Sequence, residues 1–288
     1  MDKTKIDWCD STWNPVTGCL HGCEYCYAKE MTKRFGKYLP DLSDFASRNK
    51  GLHLLDNRIE STPYPFGFEP TFHAYRLDDY AKKKGRNIFV CSMADLFGDW
   101  IPRSWIKEIF VACEKAPQHN YLFLTKNPGG FPRTSEPYSG VFGAHRKNYW
   151  FGTSITCHDD LEARLWDLLQ VRGHTFLSIE PLHGKLDLDR IWVKNKEVLL
   201  SLPKERAYYF GGALSYHMPE WVIIGAETGS RKGKIIPERS WIEKIVRDCA
   251  EAGIPVFMKS SLKDIWGEPL IQEFPKKLKG GQQLCAKD

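Results

Sequence analysis

Three cysteines within eight residues, in the stretch Cys19-Leu20-His21-Gly22-Cys23-Glu24-Tyr25-Cys26, constrain this chain more than any other feature. A residue spans at most about 3.5 Å of extended chain, so three thiolates at C-x3-C-x2-C spacing can all face one small inorganic centre. Short Cys spacings are the usual signature of iron–sulfur ligation, here with one place left open. Gly18 and Gly22 let the backbone turn around a bulky group, and Tyr25 sets an aromatic ring beside the last thiol. Two other readings of these residues stand beside it: a zinc site completed by His21, and buried thiols without a metal. A closed structural zinc site usually takes four protein ligands in two spaced pairs, and no second C-x2-C or H-x3-H lies downstream.

The chain has 288 residues, of which 42% are hydrophobic and 13% aromatic. That is enough for a sizeable core, and α/β barrels routinely use about 250 residues as one domain. No window approaches the roughly 18 apolar residues of a membrane span, so no membrane association is expected. The N-terminus leads into no apolar run of a secretory signal, and nine cysteines, an odd number, argue for a reducing cytoplasm. Cys9, Cys91, Cys113, Cys157, Cys249 and Cys285 are scattered and read as small core residues or incidental thiols. The net charge of +5 is too mild to decide a partner, and the runs Lys82-Lys83-Lys84-Gly85-Arg86 and Arg231-Lys232-Gly233-Lys234 could touch phosphate but read first as solvated faces.

Short β-rich runs alternate with helical periodicity, the pattern of βα units on a parallel sheet. The expected fold is α/β, a parallel (βα) barrel, complete or partial and TIM-like, over residues 1–274. Eight runs read as its strands: Thr12 to Thr17, Thr71 to Ala74, Ile88 to Cys91, Tyr121 to Leu124, Tyr149 to Thr153, Thr175 to Ile179, Trp221 to Ile224, and Val256 to Met258. Tyr27 to Phe35 reads as a helix. Ile106, Ile109, Phe110 and Cys113 make an apolar stripe, as do Leu161, Leu165, Leu168 and Leu169, and Ile242, Ile245, Val246, Cys249 and Ala250, the last closed by Gly253 and Pro255. Residues 36–69, with several Pro and Gly, read as an insertion or lid, 128–148 and 183–219 as long loops, and the basic tail 275–288 as disordered.

In such a barrel, functional residues gather where strands end and βα loops begin. Polar residues close nearly every apolar run: the cysteines after the first, Ser92 and Asp95 after the third, Thr125 and Lys126 after the fourth, Ser154 after the fifth, Glu180 after the sixth, Gly225-Ala226-Glu227-Thr228-Gly229 after the seventh, and Lys259-Ser260-Ser261 after the eighth. The Gly225 to Gly229 turn has neither order of the phosphate-binding glycine motifs.

C-x3-C-x2-C with an aromatic before the last Cys resembles the cluster loop of the radical S-adenosylmethionine (radical SAM) superfamily. The resemblance implies that Cys19, Cys23 and Cys26 hold three irons of a [4Fe–4S] cluster while S-adenosylmethionine chelates the fourth. It also implies that the reduced cluster cleaves the sulfonium to a 5′-deoxyadenosyl radical that abstracts hydrogen from an unactivated carbon, with an electron donor such as flavodoxin or ferredoxin as partner. Candidate cofactor contacts are then Asp95, Glu180 and Glu227 as acceptors, Ser92 and Ser154 at the ribose, and Tyr25 and Gly225-Ala226 beside adenine. Lys126 and Lys259 are candidates to hold a substrate carboxylate or phosphate. The Gly-Gly-Glu common after the second strand in that superfamily is missing here.

Five ordered blocks, Thr12-Trp13-Asn14-Pro15-Val16-Thr17-Gly18-Cys19, Leu124-Thr125-Lys126, Ser178-Ile179-Glu180-Pro181-Leu182, Val222 to Gly229, and Ala252 to Lys259, resemble a radical-SAM-like family found in phages and bacteria. This chain departs from it in a shorter link from Cys19 to Cys23, in Ala226 where Gly is common, and in Ser260 where Gln usually follows the lysine. The resemblance implies nucleic-acid work, with DNA or a modified nucleotide as substrate: rearrangement of an amino-acid-like substituent on a hypermodified thymidine base. Repair of a DNA lesion and a zinc-stabilised nucleic-acid-binding module are the alternatives. Phe66, Phe68 and Phe72 with His73 and Arg76 are candidates to stack a base.

Overall fold

A computed structural model describes residues 4–37, 39, 51–131, 147–171, 173–188 and 218–278. Strands β1 (Ser11–Trp13) and β2 (Val16–Thr17) lead into helix α1 (Tyr27–Phe35), followed by β3 (His53–Leu55), β4 (Thr71–His73) and β5 (Asn87–Val90). After these come α2 (Arg103–Lys115), β6 (Asn120–Thr125), β7 (Tyr149–Ile155), α3 (His158–Leu169), β8 (His174–Ile179) and β9 (Trp221–Ile224). Helix α4 (Arg239–Glu251), β10 (Val256–Met258) and the short α5 (Lys263–Trp266) complete the order.

Seven strands form one all-parallel sheet in the order β1-β5-β6-β7-β8-β9-β10, curled into a half-barrel. Strands buried on both faces have no polar side to alternate with, which is why they read as uninterrupted apolar runs. On the outer face Ile88, Val90, Phe123, Phe151 and Ile179 pack against the helical stripes, Ile109 and Phe110 of α2, Leu165 and Leu168 of α3, and Ile242 and Ile245 of α4. On the inner face Phe89, Leu122, Trp150, Phe176, Trp221 and Phe257 form a second cluster with Trp8, Phe274 and Leu278. Trp8 plugs this interior, its ring 4.7 Å from that of Phe89 and 6.3 Å from that of Trp221. Full burial of each such side chain is worth about 2–3 kcal/mol, so this plug is a main support of the half-barrel.

The eight expected strands resolve into seven, and the partial form of the barrel is the one observed. The first run breaks at Asn14-Pro15: β1 pairs with β5, whereas β2 turns away to pair antiparallel with β4, which also pairs with β3 in a separate three-stranded sheet. The carbonyl of Pro15 accepts from the N–H of His73 at 2.7 Å, and the Trp13 indole donates to the Arg76 carbonyl at 2.8 Å. Thr71–His73 is therefore no barrel strand. Its tertiary partner is β2, a choice that a run of three residues cannot announce.

Within the expected lid, Phe68 and Glu69 meet the start of the cysteine loop, while 38 and 40–50 fall outside the described residues. His53 is fully buried, stacked on Phe66 at 3.7 Å between ring centroids and 2.5 Å from Glu69. Burial also corrects the expected base-stacking patch: Phe66, Phe72 and His73 belong to the core, and Arg76 is spent on the Asn14 carbonyl at 2.9 Å. At the other edge, the carbonyl of Ile271 accepts from the Met258 N–H at 2.7 Å and Gln272 bridges antiparallel to Phe257, covering the exposed edge of β10. The chain stays packed through Leu278, whose carbonyl accepts from Asn87 at 3.1 Å; residues 279–288 lie outside the described residues, as do most of the two long loops. No helix among the described residues is long and apolar enough to cross a membrane.

Candidate functional site

Side chains two apart on a strand share a face. Continuing the inward parity of Phe89, Leu122, Trp150, Phe176, Ile223 and Phe257 past the apolar plug brings Lys126, Ser154, Glu180, Gly225 and Lys259 to the inner rim at the C-terminal ends of their strands. The cysteine loop closes over the same end. Gly18 bridges in parallel to Ala94, and its N–H donates to the Met93 carbonyl at 2.9 Å, while the N–H of Cys19 donates to the Phe68 carbonyl at 3.2 Å. Gly18 has φ +87°, and a Cβ there would lie 2.2 Å from the Glu69 carbonyl oxygen, so only glycine fits where the loop leaves β2.

Cys19, Cys23 and Cys26 are free, half-buried thiols. The N–H of Cys26 donates to the Cys23 carbonyl at 3.3 Å, a turn that delivers Cys26 to the start of α1. Cys26 is the residue from which α1 starts, and no side-chain bond from its sulfur caps that helix. Burial pushes the Cys19 thiol up to about 12 and raises Cys26 as well. Thiols so shifted become thiolates at neutral pH when a bound cation supplies the compensating charge. The donor set thus fits a three-thiolate site. Among the described residues no three His, Cys, Asp or Glu side chains already converge into a metal-holding group, and ligand loops close as their metal binds.

Asp95 ties this loop to the barrel. Its Oδ1 accepts from Thr125 Oγ1 at 2.6 Å and the Phe97 N–H at 3.1 Å, and its Oδ2 from the Lys126 N–H at 2.8 Å and lies 2.7 Å from His21 Nε2. A carboxylate has about four acceptor sites, all used here, so Asp95 positions the loop rather than offering a free acceptor. It stands just past Cys91, which follows β5 at φ +57°, a left-handed conformation that turns the chain onto the rim. Ser92 is engaged too: its hydroxyl donates to Asn14 Oδ1 at 3.1 Å, and its carbonyl accepts from the Tyr27 hydroxyl.

Lys126 reaches Tyr25 of the cysteine loop, Nζ to hydroxyl at 2.5 Å. Lys259 pairs with Glu180, so two of the expected catalytic residues meet. A Cβ on Gly225 would lie 3.0 Å from Glu180 Oε1, and glycine there lets the carboxylate lie across the backbone. Ser154 is half-buried on β7, with its carbonyl accepting from Arg164 at 2.6 Å. Glu227, with a side chain 2% exposed, accepts at both oxygens from one edge of Arg231, Nε at 2.6 Å and Nη2 at 2.8 Å, and lies 3.4 Å from His183 Nε2. Arg231, expected on a solvated face, is instead part of the rim, as are His183 and His21. Except for Glu227 with Arg231, four residues apart, these pairings join residues distant along the chain, and nothing in the sequence signals them.

Arg231 holds the Glu227 carboxyl below the usual carboxylate range. A depressed carboxyl contributes stability that is fully present above its unfolded value, about 4.3, and is lost as pH falls through the lower folded value. In melts taken between about pH 6 and pH 3, wild type is expected to lose stability more steeply than Glu227→Gln below about pH 4. Parallel acid limbs would show that this pair contributes nothing to folding.

The chain matches, over residues 3–284, the family described as Protein of unknown function (DUF5131). No curated protein matches it. Among solved structures, spore photoproduct lyase complexed with dinucleoside spore photoproduct is similar at 12% identity and a TM-score of 0.48, with 89% of this chain and 78% of that chain covered. A substituted form of that lyase with bound AdoMet and dinucleoside spore photoproduct gives 12% identity and a TM-score of 0.46 over the same shares.

Proposed function

We propose that this chain, which belongs to the DUF5131 family, is a radical SAM enzyme in which Cys19, Cys23 and Cys26 hold a [4Fe–4S] cluster. The observation that carries the reading is a loop of three free, half-buried thiols set on the polar C-terminal rim of a parallel half-barrel. When bound, the cluster and S-adenosylmethionine supply hydrogen-atom abstraction from an unactivated carbon, with electrons from a flavodoxin- or ferredoxin-type donor. The chain's own residues bind and orient. Asp95 fixes the loop to β6. Ser92, Ser154, Gly225 and Tyr25 line the cofactor, Glu180 sets Lys259, and Lys126 and Lys259 hold a substrate anion while the apolar plug around Trp8 excludes water from below.

The substrate in this reading is a hypermodified thymidine in phage DNA whose amino-acid-like substituent is isomerised, with reversal of a DNA lesion as the alternative chemistry; both rest on the resemblance of the five sequence blocks. Reduced, reconstituted protein with S-adenosylmethionine and the modified DNA, digested to nucleosides, is expected to yield a product of unchanged mass and altered retention. Loss of mass would favour the lyase, and turnover of a free metabolite or peptide with no nucleoside changed would defeat the nucleic-acid reading. One observation favours a second reading. Metal-bound histidines commonly give their other ring nitrogen to a carboxylate, as His21 does to Asp95, so a Cys3His zinc site remains the competitor. One zinc and no iron after anaerobic purification would select it.

A further inference from the structure

Arg231 carries two carboxylates for one positive charge. The inner one, Glu227, is buried and gripped at both oxygens, which fixes the guanidinium in place. The outer one, Glu24 of the cysteine loop, is 83% exposed and meets Arg231 Nη1 at a single 3.5 Å contact. Such an exposed, single contact contributes little. From Arg231 a line of contacts crosses the rim: Glu227 to His183 at 3.4 Å, His183 to the Tyr25 ring edge-on at 5.2 Å, and Tyr25 to Lys126 at 2.5 Å. A rigidly mounted guanidinium thus stands at one end of an aromatic pair and an ammonium at the other, with the weak contact on the side facing the loop.

We infer that Arg231 is a substrate-recognition residue: its Nη1 edge takes an anionic group of the substrate, a phosphate or a carboxylate, in place of Glu24. Glu24 is a displaceable stand-in for that anion rather than a latch. This rests on the reading of the rim as the substrate face and adds to it a specific anion subsite. The planar fork suits either oxyanion, which a lysine at this position would hold less well.

Affinity decides between stand-in and latch by its sign. The full chain, reconstituted anaerobically, is titrated calorimetrically with thymidine 5′-monophosphate as phosphate probe, succinate as carboxylate probe and thymidine as uncharged control. Glu24→Gln, an exposed change that leaves Glu227 paired, is expected to tighten at least one anionic probe by about threefold or more, and Arg231→Gln to weaken the same probe by about tenfold, with thymidine unmoved. Arg231→Lys should fall between. The probe that responds identifies the anion. Should Arg231→Gln fail to fold because Glu227 loses its partner, Glu24→Gln alone decides. Unchanged or weaker anion binding in Glu24→Gln, or anionic probes that bind no better than thymidine to wild type, overturns the inference. Failure of wild type to form 5′-deoxyadenosine would count against the radical reading instead, and would leave these affinities as they are.

Discussion

Anaerobic reconstitution is expected to load the chain with about four irons and four sulfides, and Cys23→Ala to hold almost none and to lose reductive cleavage of S-adenosylmethionine by at least about a hundredfold. Removing even a residue that only orients a metal ligand costs about 10–100-fold, and the loss of one of three ligands leaves too few to retain the cluster. Cys113→Ala is the control. That thiol lies fully buried on α2 among outer-face core residues, where its loss leaves a small cavity and no missing ligand. It is expected to keep its iron and most of its cleavage. Equal loss in both, with far-ultraviolet dichroism unchanged, would mean that the loop is not the ligand set.

Gly18→Ala is expected to cost about 2–5 kcal/mol, summing a left-handed backbone penalty of about 1–2 kcal/mol with the forced displacement of a packed segment. The added Cβ would lie 2.2 Å from the Glu69 carbonyl oxygen and 2.8 Å from that of Phe68, the acceptor for Cys19. Neither can yield by rotating a side chain. The substitution should therefore lower Tm by about 10 °C and the iron retained per chain together, because the same backbone supports the first ligand. Gly22→Ala isolates the conformational share: it too has positive φ, +70°, but nothing stands within 4 Å of its Cβ. Only the smaller penalty of about 1–2 kcal/mol is expected there. If thermal melts and iron assays place the two variants level, the close approach at Gly18 is not what seats the loop.

What the sequence by itself determined were the features whose cause is local. An uninterrupted apolar run records burial on both faces, so β5 to β10 of the half-barrel were legible, as were α2, α3 and α4, whose stripes repeat within one or two turns. The thiol loop was legible because eight residues of chain cannot carry three cysteines far apart. The polar rim followed from where those runs end. Tertiary structure alone decided which sheet a three-residue strand joins, so Thr71–His73 left the barrel for β2 and Phe66 and Phe72 went to the core. It alone set Asp95 on His21, Lys259 on Glu180, and Arg231 between Glu227 and Glu24. Such pairings join side chains up to 207 residues apart, and they exist only because the packed sheet fixes the distance between strand ends, a quantity that no run, spacing or period along the chain encodes.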